Sequence, residues 1–310
     1  MIDLRESPDV ARAIVASALG RDPGPMAIAP SDSHHVFVGE DVVVKVIDAE
    51  RHSRLEREVA LAPHLPVGLM PPLLASGLSR VDSGEVRYAC YERALGSSPG
   101  MGMPNVDAAT ARLLSEQAVR RLKKLHRWTP SGVAVQTLSE PLDHGGFVSR
   151  TALVAKVESL ATLNRDATIP HHLLDGLMAI AQGAPVHSLK DAPVHADCHW
   201  GNWLALNANV TALLDFEWTR FGEPLDDWFF LARFSGSYVN VVLGVIARET
   251  TTPLEVLRAG REVREAAHLT NDLCIALEHP GTRERMATER LRALEELVAE
   301  RYWWRDGKSV

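Results

Sequence analysis

Apolar and polar positions in the first 95 residues predict a small sheet combined with two helices. Apolar residues recur at helical spacing from Val10 to Ala18, between an N-cap at Ser7 and a terminating Gly20. Four short apolar segments, the first two rich in β-branched residues, then predict strands joined through tight turns. The predicted strands are 34–38, 41–46, 73–78 and 86–92, with a helix near 50–62 between the second and the third. This order predicts an antiparallel sheet with an inserted helix.

Helical spacing dominates the chain after residue 105. A segment rich in glycine, serine and proline, 96–105, separates this region from the predicted sheet and predicts a connection. The predicted helices are 107–128, 151–163, 171–183, 225–249, 254–277 and 283–304. Only 194–214 departs from the pattern, with short predicted strands. We therefore predict an α+β fold of two lobes, a small N-terminal sheet lobe of residues 1–95 and a larger, mainly helical lobe of residues 96–310.

Composition and charge are those of an ordinary globular protein, and they exclude several classes. Of the 310 residues, 46% are hydrophobic and 24% are charged. The net charge of −7 comes without a basic run, so we do not expect a nucleic-acid partner. The longest apolar stretch, 241–247, is far shorter than a bilayer span, and three scattered cysteines cannot form a disulfide framework. Because the N-terminus lacks a signal-peptide pattern, we expect a cytoplasmic protein. We further expect a monomer or homodimer that acts on a small molecule.

The segment from His195 to Asn202 carries the most informative chemistry. Phosphoryl transfer needs a carboxylate that orients and deprotonates the attacking hydroxyl, and oxygen ligands that hold Mg²⁺ on the nucleotide phosphates. Asp197 and Asn202, five positions apart, and Asp215 beyond a tight hairpin supply these groups. Protein kinases space their catalytic aspartate and metal ligands in the same way. Taken alone, the segment from His195 to Asn202 is more typical of an ordinary polar loop.

A lysine within an apolar strand favours the catalytic interpretation. Lys45 interrupts the run Val42–Val46, where a half-buried lysine is costly without an anionic partner. The next predicted helix carries Glu56 and Glu58, and either could be that partner. The alternative is a lysine on the solvent face of an edge strand. The order of the motifs along the chain favours the first interpretation.

With these motifs in this order, the chain resembles the aminoglycoside phosphotransferase family, kinase-like enzymes whose relatives include choline, homoserine, methylthioribose and fructosamine kinases. The resemblance covers roughly residues 30–235. The family's loop begins His-Gly-Asp, whereas this chain has Ala196 at the second position. The resemblance implies a protein-kinase-like fold, with an N-terminal nucleotide-binding lobe and a C-terminal catalytic and substrate-binding lobe. It also implies ATP, or GTP, and Mg²⁺ as cofactors.

The resemblance implies roles for the motif residues. Asp197 matches the catalytic base, and Asn202 and Asp215 match the Mg²⁺ ligands. Lys45 matches the contact to the α- and β-phosphates, and Glu58 matches the glutamate that pairs with this lysine, with Glu56 as the other candidate.

Three further segments resemble parts of the family's nucleotide site. Glu92 and Ala94 lie where main-chain groups of the interlobe connection would bond adenine. Ser33 lies in the segment Ser31–His34, where the phosphate-covering loop is expected, although no glycine occurs there. Asp227 matches a helix-start carboxylate that anchors the catalytic loop, because free backbone N–H groups stabilise such a group.

Other sites are conceivable from the same residues. His195, Cys198 and His199 could begin a zinc site, but no further cysteine or histidine pair supplies the closing ligands. Trp200 and Trp218 could stack on a flat acceptor in the cleft. The remaining candidates, Trp203, Trp228, Trp303 and Trp304, are more typical of core or helix packing.

We therefore predict an ATP-dependent O-phosphotransferase that modifies an antibiotic, either a nucleoside- or sugar-containing one or an aminoglycoside. The alternatives are a kinase of a small hydroxylated metabolite, such as a sugar, a choline-like amino alcohol or homoserine, and a nucleotide-binding pseudo-kinase. After residue 97 the chain has 26 acidic and 23 basic residues, a balance that favours an acceptor of modest charge over a polycation. A local cluster of Glu217, Glu223 and Asp226 leaves the cationic aminoglycosides open.

Overall fold

A five-stranded antiparallel sheet forms the N-terminal part of the protein in a computed structural model that describes residues 7–31, 33–50, 54–82, 84–142, 146–279 and 284–300. The strands are β1 (Ala27–Ala29), β2 (His35–Val38), β3 (Val42–Asp48), β4 (Leu73–Val81) and β5 (Gly84–Glu92). Their spatial order is β1-β2-β3-β5-β4. The predicted sheet is thus confirmed, and Lys45 lies on its central strand, opposite Val36 and Ala89. Trp303 and Trp304 lie outside the described residues.

Strand β1 was not predicted, because it lies in a stretch of prolines and glycines. Its three residues pair with β2, with Ala27 opposite Val38 and Ala29 opposite Val36. A strand of this length is too short to show an alternating pattern. Pairing with β2 is what makes this segment extended.

Two helices cover opposite faces of the sheet. Helix α1 (Pro8–Leu19) ends at Gly20 with φ 67°, while Ser7 occupies the N-cap position without a side-chain hydrogen bond. Helix α2 (Arg54–Leu61) lies between β3 and β4 and buries Leu55, Leu61 and Glu58. The inserted helix therefore brings a carboxylate against the sheet.

Helices make up most of the rest of the chain. They are α3 (Ala108–His126), α4 (Val133–Ser139), α5 (Arg150–Leu163), α6 (His171–Gly183), α7 (Pro224–Arg233), α8 (Val239–Thr250), α9 (Leu254–Glu278) and α10 (Glu284–Glu295), the last followed by a π-helical turn, Glu296–Glu300. One apolar core joins α3, α7 and α8, and a second joins α5, α6, α9 and α10. The predicted α+β fold, with an N-terminal sheet and a mainly helical remainder, is confirmed. None of the described helices is long and apolar enough to cross a membrane.

The single helix predicted over 225–249 is wrong, because the chain breaks between α7 and α8. A short 3₁₀ turn, Gly236–Tyr238, separates the two helices. Gly236 has φ 56°, and a Cβ there would lie 2.8 Å from the carbonyl oxygen of Gly102. Only glycine allows this approach of two backbones. Helix α4, which was not predicted either, packs against α2.

Two small antiparallel ribbons interrupt the helices, and Asp197 and Asp215 follow strands of these ribbons. Strand β6 (Ala192–Val194) pairs with β9 (Arg220–Gly222), and β7 (Trp203–Leu206) pairs with β8 (Asn209–Leu213). Strand β9 was not predicted, since three residues give no periodic signal. The loop after β6 and the turn after β8 are thereby placed side by side.

Candidate active site

Buried indole rings hold the loop that follows β6. Trp203 is fully buried, and its Nε1 donates to the carbonyl oxygen of Cys198 at 3.0 Å. Trp200 is also fully buried, and its Nε1 donates to the carbonyl oxygen of Leu231 at 3.1 Å. Trp200 is therefore a core residue and does not stack on a molecule in the cleft, while Trp218 lies under the guanidinium of Arg54.

Asp227 anchors this loop from the first turn of α7. Its side chain is fully buried, and it accepts hydrogen bonds from the backbone N–H groups of Ala196 (2.7 Å) and His195 (3.0 Å). His126 Nε2 lies 2.8 Å from the same carboxylate. Burial alone would raise the pKa of Asp227, but the hydrogen bond and charge of His126 hold this pKa below its ordinary value. The carboxylate is thus satisfied within the protein.

Ala196 adopts a backbone conformation that favours glycine. Its φ is 62°, in the left-handed region, where a Cβ costs roughly 1–2 kcal/mol. The expectation that alanine simply replaces the family's glycine missed this strain. The bond from Ala196 N–H to Asp227 holds the strained residue in place.

Asp197 and Asn202 lie together at the edge of the cleft. Asn202 Nδ2 donates to the carbonyl oxygen of Asp197 at 2.8 Å and lies 3.3 Å from its Oδ2. Burial, together with the negative charge of Asp215, raises the pKa of Asp197 to about 8. Its side chain is still 23% exposed, so it is accessible from outside the protein.

Lys45, Glu58 and Asp215 form one charge cluster. Lys45 Nζ lies 2.9 Å from Glu58 Oε1 and 3.0 Å from Asp215 Oδ1. Burial alone would lower the pKa of Lys45, but the carboxylates of Glu58 and Asp215 raise it above its usual value. Glu56 instead pairs with Arg87 at 2.5 Å, so the partner of Lys45 is Glu58.

Glu58 joins three parts of the fold. Tyr91 Oη donates to its Oε1 at 2.7 Å, and the backbone N–H of Phe216 donates to its Oε2 at 2.8 Å. The carboxylate therefore ties α2 to strand β5 and to the turn after β8. Every oxygen of Glu58 is engaged by the protein, which makes it a support for Lys45.

The turn after β8 presents two acidic side chains. Asp215 has φ 68°, and the following 3₁₀ turn carries the buried Glu217. Glu217 Oε1 lies 2.9 Å from His34 Nε2, a contact that the sequence did not predict. Among the described residues, carboxylate oxygens of Glu58, Asp215 and Glu217 lie within 4.8 Å of one another, a grouping that could hold a cation. The signal available in the sequence was an acidic residue two positions after Asp215.

A cavity of about 580 Å³ lies between the sheet and the helical part. Its lining includes six of the predicted site residues: Lys45, Glu58, Glu92, Ala94, Asn202 and Asp215. Ser31 and His34 also line it, whereas Ser33 lies outside the lining and its Oγ is 2.8 Å from His34 Nδ1. The predicted nucleotide-site residues other than Ser33 thus converge on one space.

The side chains considered for zinc are engaged by the protein. His195 Nε2 lies 2.9 Å from the carbonyl oxygen of Leu214, and Cys198 Sγ donates to the carbonyl oxygen of Asp227. His199 Nδ1 accepts from the N–H of Gly201. Burial also raises the pKa of Cys198, which disfavours the thiolate that zinc requires.

A sequence profile of the phosphotransferase enzyme family matches residues 28–258. The chain belongs to the phosphotransferase enzyme family. The match spans the sheet, the Asp197 loop and the Asp215 turn, so the predicted family is confirmed and the protein is a phosphotransferase.

Solved structures of other phosphotransferases share the fold of this one. The GDP and kanamycin complex of APH(2″)-IIIa has a TM-score of 0.69 at 18% identity and covers 94% of this chain and 99% of its own. ADP-bound aminoglycoside phosphotransferase APH(2″)-Ib has a TM-score of 0.62 at 15% identity, covering 95% and 98%. Macrolide 2′-phosphotransferase MphH from Brachybacterium faecium, as apoenzyme, has a TM-score of 0.60 at 20% identity, covering 95% and 98%. No curated protein sequence matches the chain of this phosphotransferase.

Proposed function

We propose that this phosphotransferase moves the γ-phosphate of ATP, or of GTP, to a hydroxyl group of an antibiotic. One observation carries the proposal: Lys45, Asn202 and Asp215 line a single cavity, and Asp197, which lies outside that lining, contacts Asn202. Structural neighbours described as GDP and ADP complexes, and named for aminoglycosides and a macrolide, support both the nucleotide and the acceptor class.

The oxygen donors at this edge fit Mg²⁺. Asn202 commits its amide nitrogen to Asp197, which leaves its amide oxygen for a cation. Asp215 uses Oδ1 for Lys45, and its second oxygen also suits a hard divalent cation. We propose Asn202 and Asp215 as the Mg²⁺ ligands. When bound, Mg²⁺ would neutralise charge on the transferring phosphate.

Side chains and backbone groups of the protein have separate roles in the proposed reaction. Asp197 orients the acceptor hydroxyl and, in its ionised form, takes its proton; the raised pKa makes that ionised form a stronger base than an ordinary carboxylate. Lys45, held by Glu58, places a positive charge against the α- and β-phosphates. Backbone groups of Glu92 and Ala94 would bond the base of the nucleotide. Asp227 holds the backbone of the loop at His195 and Ala196, directly before Asp197.

Two observations support an acceptor of modest charge. The acidic cluster considered for a polycation is already paired, because Glu217 contacts His34, and Glu223 and Asp226 each contact Arg264. A second cavity of about 540 Å³, next to β9, is lined by three basic residues, Lys156, Lys190 and Arg220, and by two acidic ones, Glu140 and Asp226. We propose this cavity for the acceptor, because a lining whose basic and acidic side chains nearly balance fits a molecule of modest charge better than a polycation.

Transfer of labelled γ-phosphate from ATP and from GTP tests the proposal. The acceptor panel contains kanamycin and hygromycin B as polycations, erythromycin and a nucleoside antibiotic at modest charge, and choline, homoserine and a simple sugar as metabolites. Phosphorylation of the modest-charge antibiotics, lost in Asp197→Asn, would support it. Turnover confined to kanamycin would overturn the charge argument, and turnover confined to a metabolite would overturn the antibiotic assignment. Nucleotide binding without transfer to any acceptor would favour a pseudo-kinase.

A further inference from the structure

We propose that His199 is a positioning residue that sets the orientation of the Asp197 carboxylate. In the sequence, His199 was a candidate zinc ligand. The inference rests on the proposed function, in which Asp197 takes the proton of the acceptor hydroxyl. It concerns which groups hold that carboxylate in place.

The hydrogen bonds of His199 determine which of its nitrogens carries the proton. Nδ1 accepts from the backbone N–H of Gly201 at 3.1 Å, at the start of the 3₁₀ turn. In a neutral imidazole the accepting nitrogen has no hydrogen, so the proton lies on Nε2. Nε2 is 3.8 Å from Asp197 Oδ1. A donor therefore faces the one carboxylate oxygen of Asp197 that Asn202 does not contact.

Packing holds the imidazole ring in this place. Phe234 meets the ring edge-on, with ring centroids 5.5 Å apart. A Cβ on Gly201 would lie 2.9 Å from the ring atoms Cε1 and Nδ1, so the ring occupies space that only glycine leaves. With a side chain only 17% exposed, His199 has little freedom to turn away.

The distance of 3.8 Å between His199 Nε2 and Asp197 Oδ1 allows a hydrogen bond to form after a small movement. This distance exceeds the ordinary hydrogen-bond range of about 2.7–3.2 Å, so the two side chains are close but do not form a hydrogen bond with each other in this structure. Catalytic hydrogen bonds often tighten only when substrate binds, and a shift of under about 1 Å would close this one. Asn202 at Oδ2 and His199 at Oδ1 would then fix the plane of the carboxylate. A carboxylate fixed in this way presents its remaining lone pairs to the acceptor hydroxyl.

Three substitutions separate the roles of the ring. His199→Gln keeps an N–H donor near the position of Nε2, His199→Asn keeps an acceptor for the N–H of Gly201, and His199→Phe keeps only the packing against Phe234. We expect His199→Gln to retain most of the wild-type kcat, and the other two to lose roughly 10- to 100-fold. The KM for nucleotide should stay unchanged in all three. The exposed His172→Asn, on α6, is the matched control and should behave as wild type.

The kinetics use MgATP with the acceptor of highest turnover in the panel, or with water where no acceptor reacts. If His199→Asn keeps wild-type kcat while His199→Gln loses it, the residue only caps the turn, and if His199→Phe keeps it, the residue only packs. Either result overturns the inference. Imidazole ¹⁵N shifts of the wild-type protein provide a readout that needs no turnover, and a proton on Nδ1 would also overturn it.

Asp197→Asn separates this inference from the proposed function. If that variant keeps the wild-type rate, Asp197 is not the base and the catalytic mechanism of the proposed function is wrong. If it loses rate while His199→Asn and His199→Phe do not, only the role of His199 is wrong. In the Asp197→Asn background, His199→Asn should cause no further loss, because both substitutions disable one unit.

Discussion

The start of α7 and the turn after β8 each place a carboxylate beside the same loop, and the two carboxylates are held in opposite ways. Asp227 accepts from two backbone N–H groups and contacts His126, so its oxygens are satisfied by the protein. Asp215 bonds Lys45 through one oxygen and faces the cavity. A buried charge is tolerated when it is paired, and the choice of partner decides what it can do. Asp227 supports the fold, and Asp215 keeps capacity for a ligand.

The largest expected effect concerns Asp197, which lies between these two regions. Asp197→Asn keeps the shape of the side chain but removes its ability to take a proton. We expect turnover to fall by roughly 10²–10⁴, the usual contribution of a positioned general base, with nucleotide affinity retained. Single-turnover transfer and nucleotide titration of the variant check this. A wild-type rate would remove Asp197 from the mechanism.

Substitution of Asp227 should damage the fold more than the chemistry. Asp227→Ala leaves two buried N–H groups without their acceptor and His126 without its partner, which should cost about 3–5 kcal/mol of unfolding free energy. Urea unfolding measures that loss. The matched Asp215→Ala should cost far less stability, and equal losses in the two variants would erase the distinction between the regions.

Asp215→Ala should instead show its effect with metal and nucleotide. Loss of a proposed ligand should weaken Mg²⁺-dependent nucleotide binding by roughly 10- to 100-fold and lower turnover as well. Nucleotide titrations across a range of Mg²⁺ concentrations, with Asp227→Asn as the comparison, test this. An unchanged Mg²⁺ dependence would count against Asp215 as a ligand.

Lys45 and Glu58 test whether the cluster acts as one unit. Each single substitution to alanine should lower kcat/KM for ATP, because one removes the phosphate contact and the other misdirects it. The double variant should be less impaired than the sum of the singles, with a coupling of about 1–3 kcal/mol. Strictly additive losses would mean that the contact seen at 2.9 Å has no functional weight.

The smallest effect is a change in the pH dependence of stability. The pKa of Asp197 is raised to about 8 in the folded protein, so folding favours its protonated form. The contribution of this group is therefore largest in acid and is lost as pH rises toward 8. Relative to wild type, Asp197→Asn should therefore gain stability as pH rises from 5 to 9, because asparagine has no charge to bury. Parallel pH profiles of the two proteins would contradict the raised pKa.

The sequence was sufficient to predict the parts of the site that depend on local pattern. An apolar strand with one lysine, followed by a helix with glutamates, predicted the pair of Lys45 with Glu58, and a choice between two glutamates was all that remained. The spacing of Asp197, Asn202 and Asp215 predicted their placement around a tight ribbon. Their roles, and the division of the chain at residue 95, stay predictions.

The features that were missed depend on contacts between distant segments. His34 meets Glu217 only because the loop before β2 folds over the turn after β8. The break between α7 and α8 arises where Gly236 meets the backbone of Gly102. Strands β1 and β9 exist because a partner strand pairs with them. Periodicity along the chain contains no information about such neighbours.

The left-handed backbone of Ala196 has an evolutionary consequence. An alanine codon becomes a glycine codon by a single base substitution, and glycine adopts this conformation without a steric penalty. A single base substitution would therefore replace Ala196 with glycine and remove the backbone strain at this position. Ala196→Gly could thus offset a destabilising substitution elsewhere in the protein. The side chains of Asp197 and Asn202 would be unchanged.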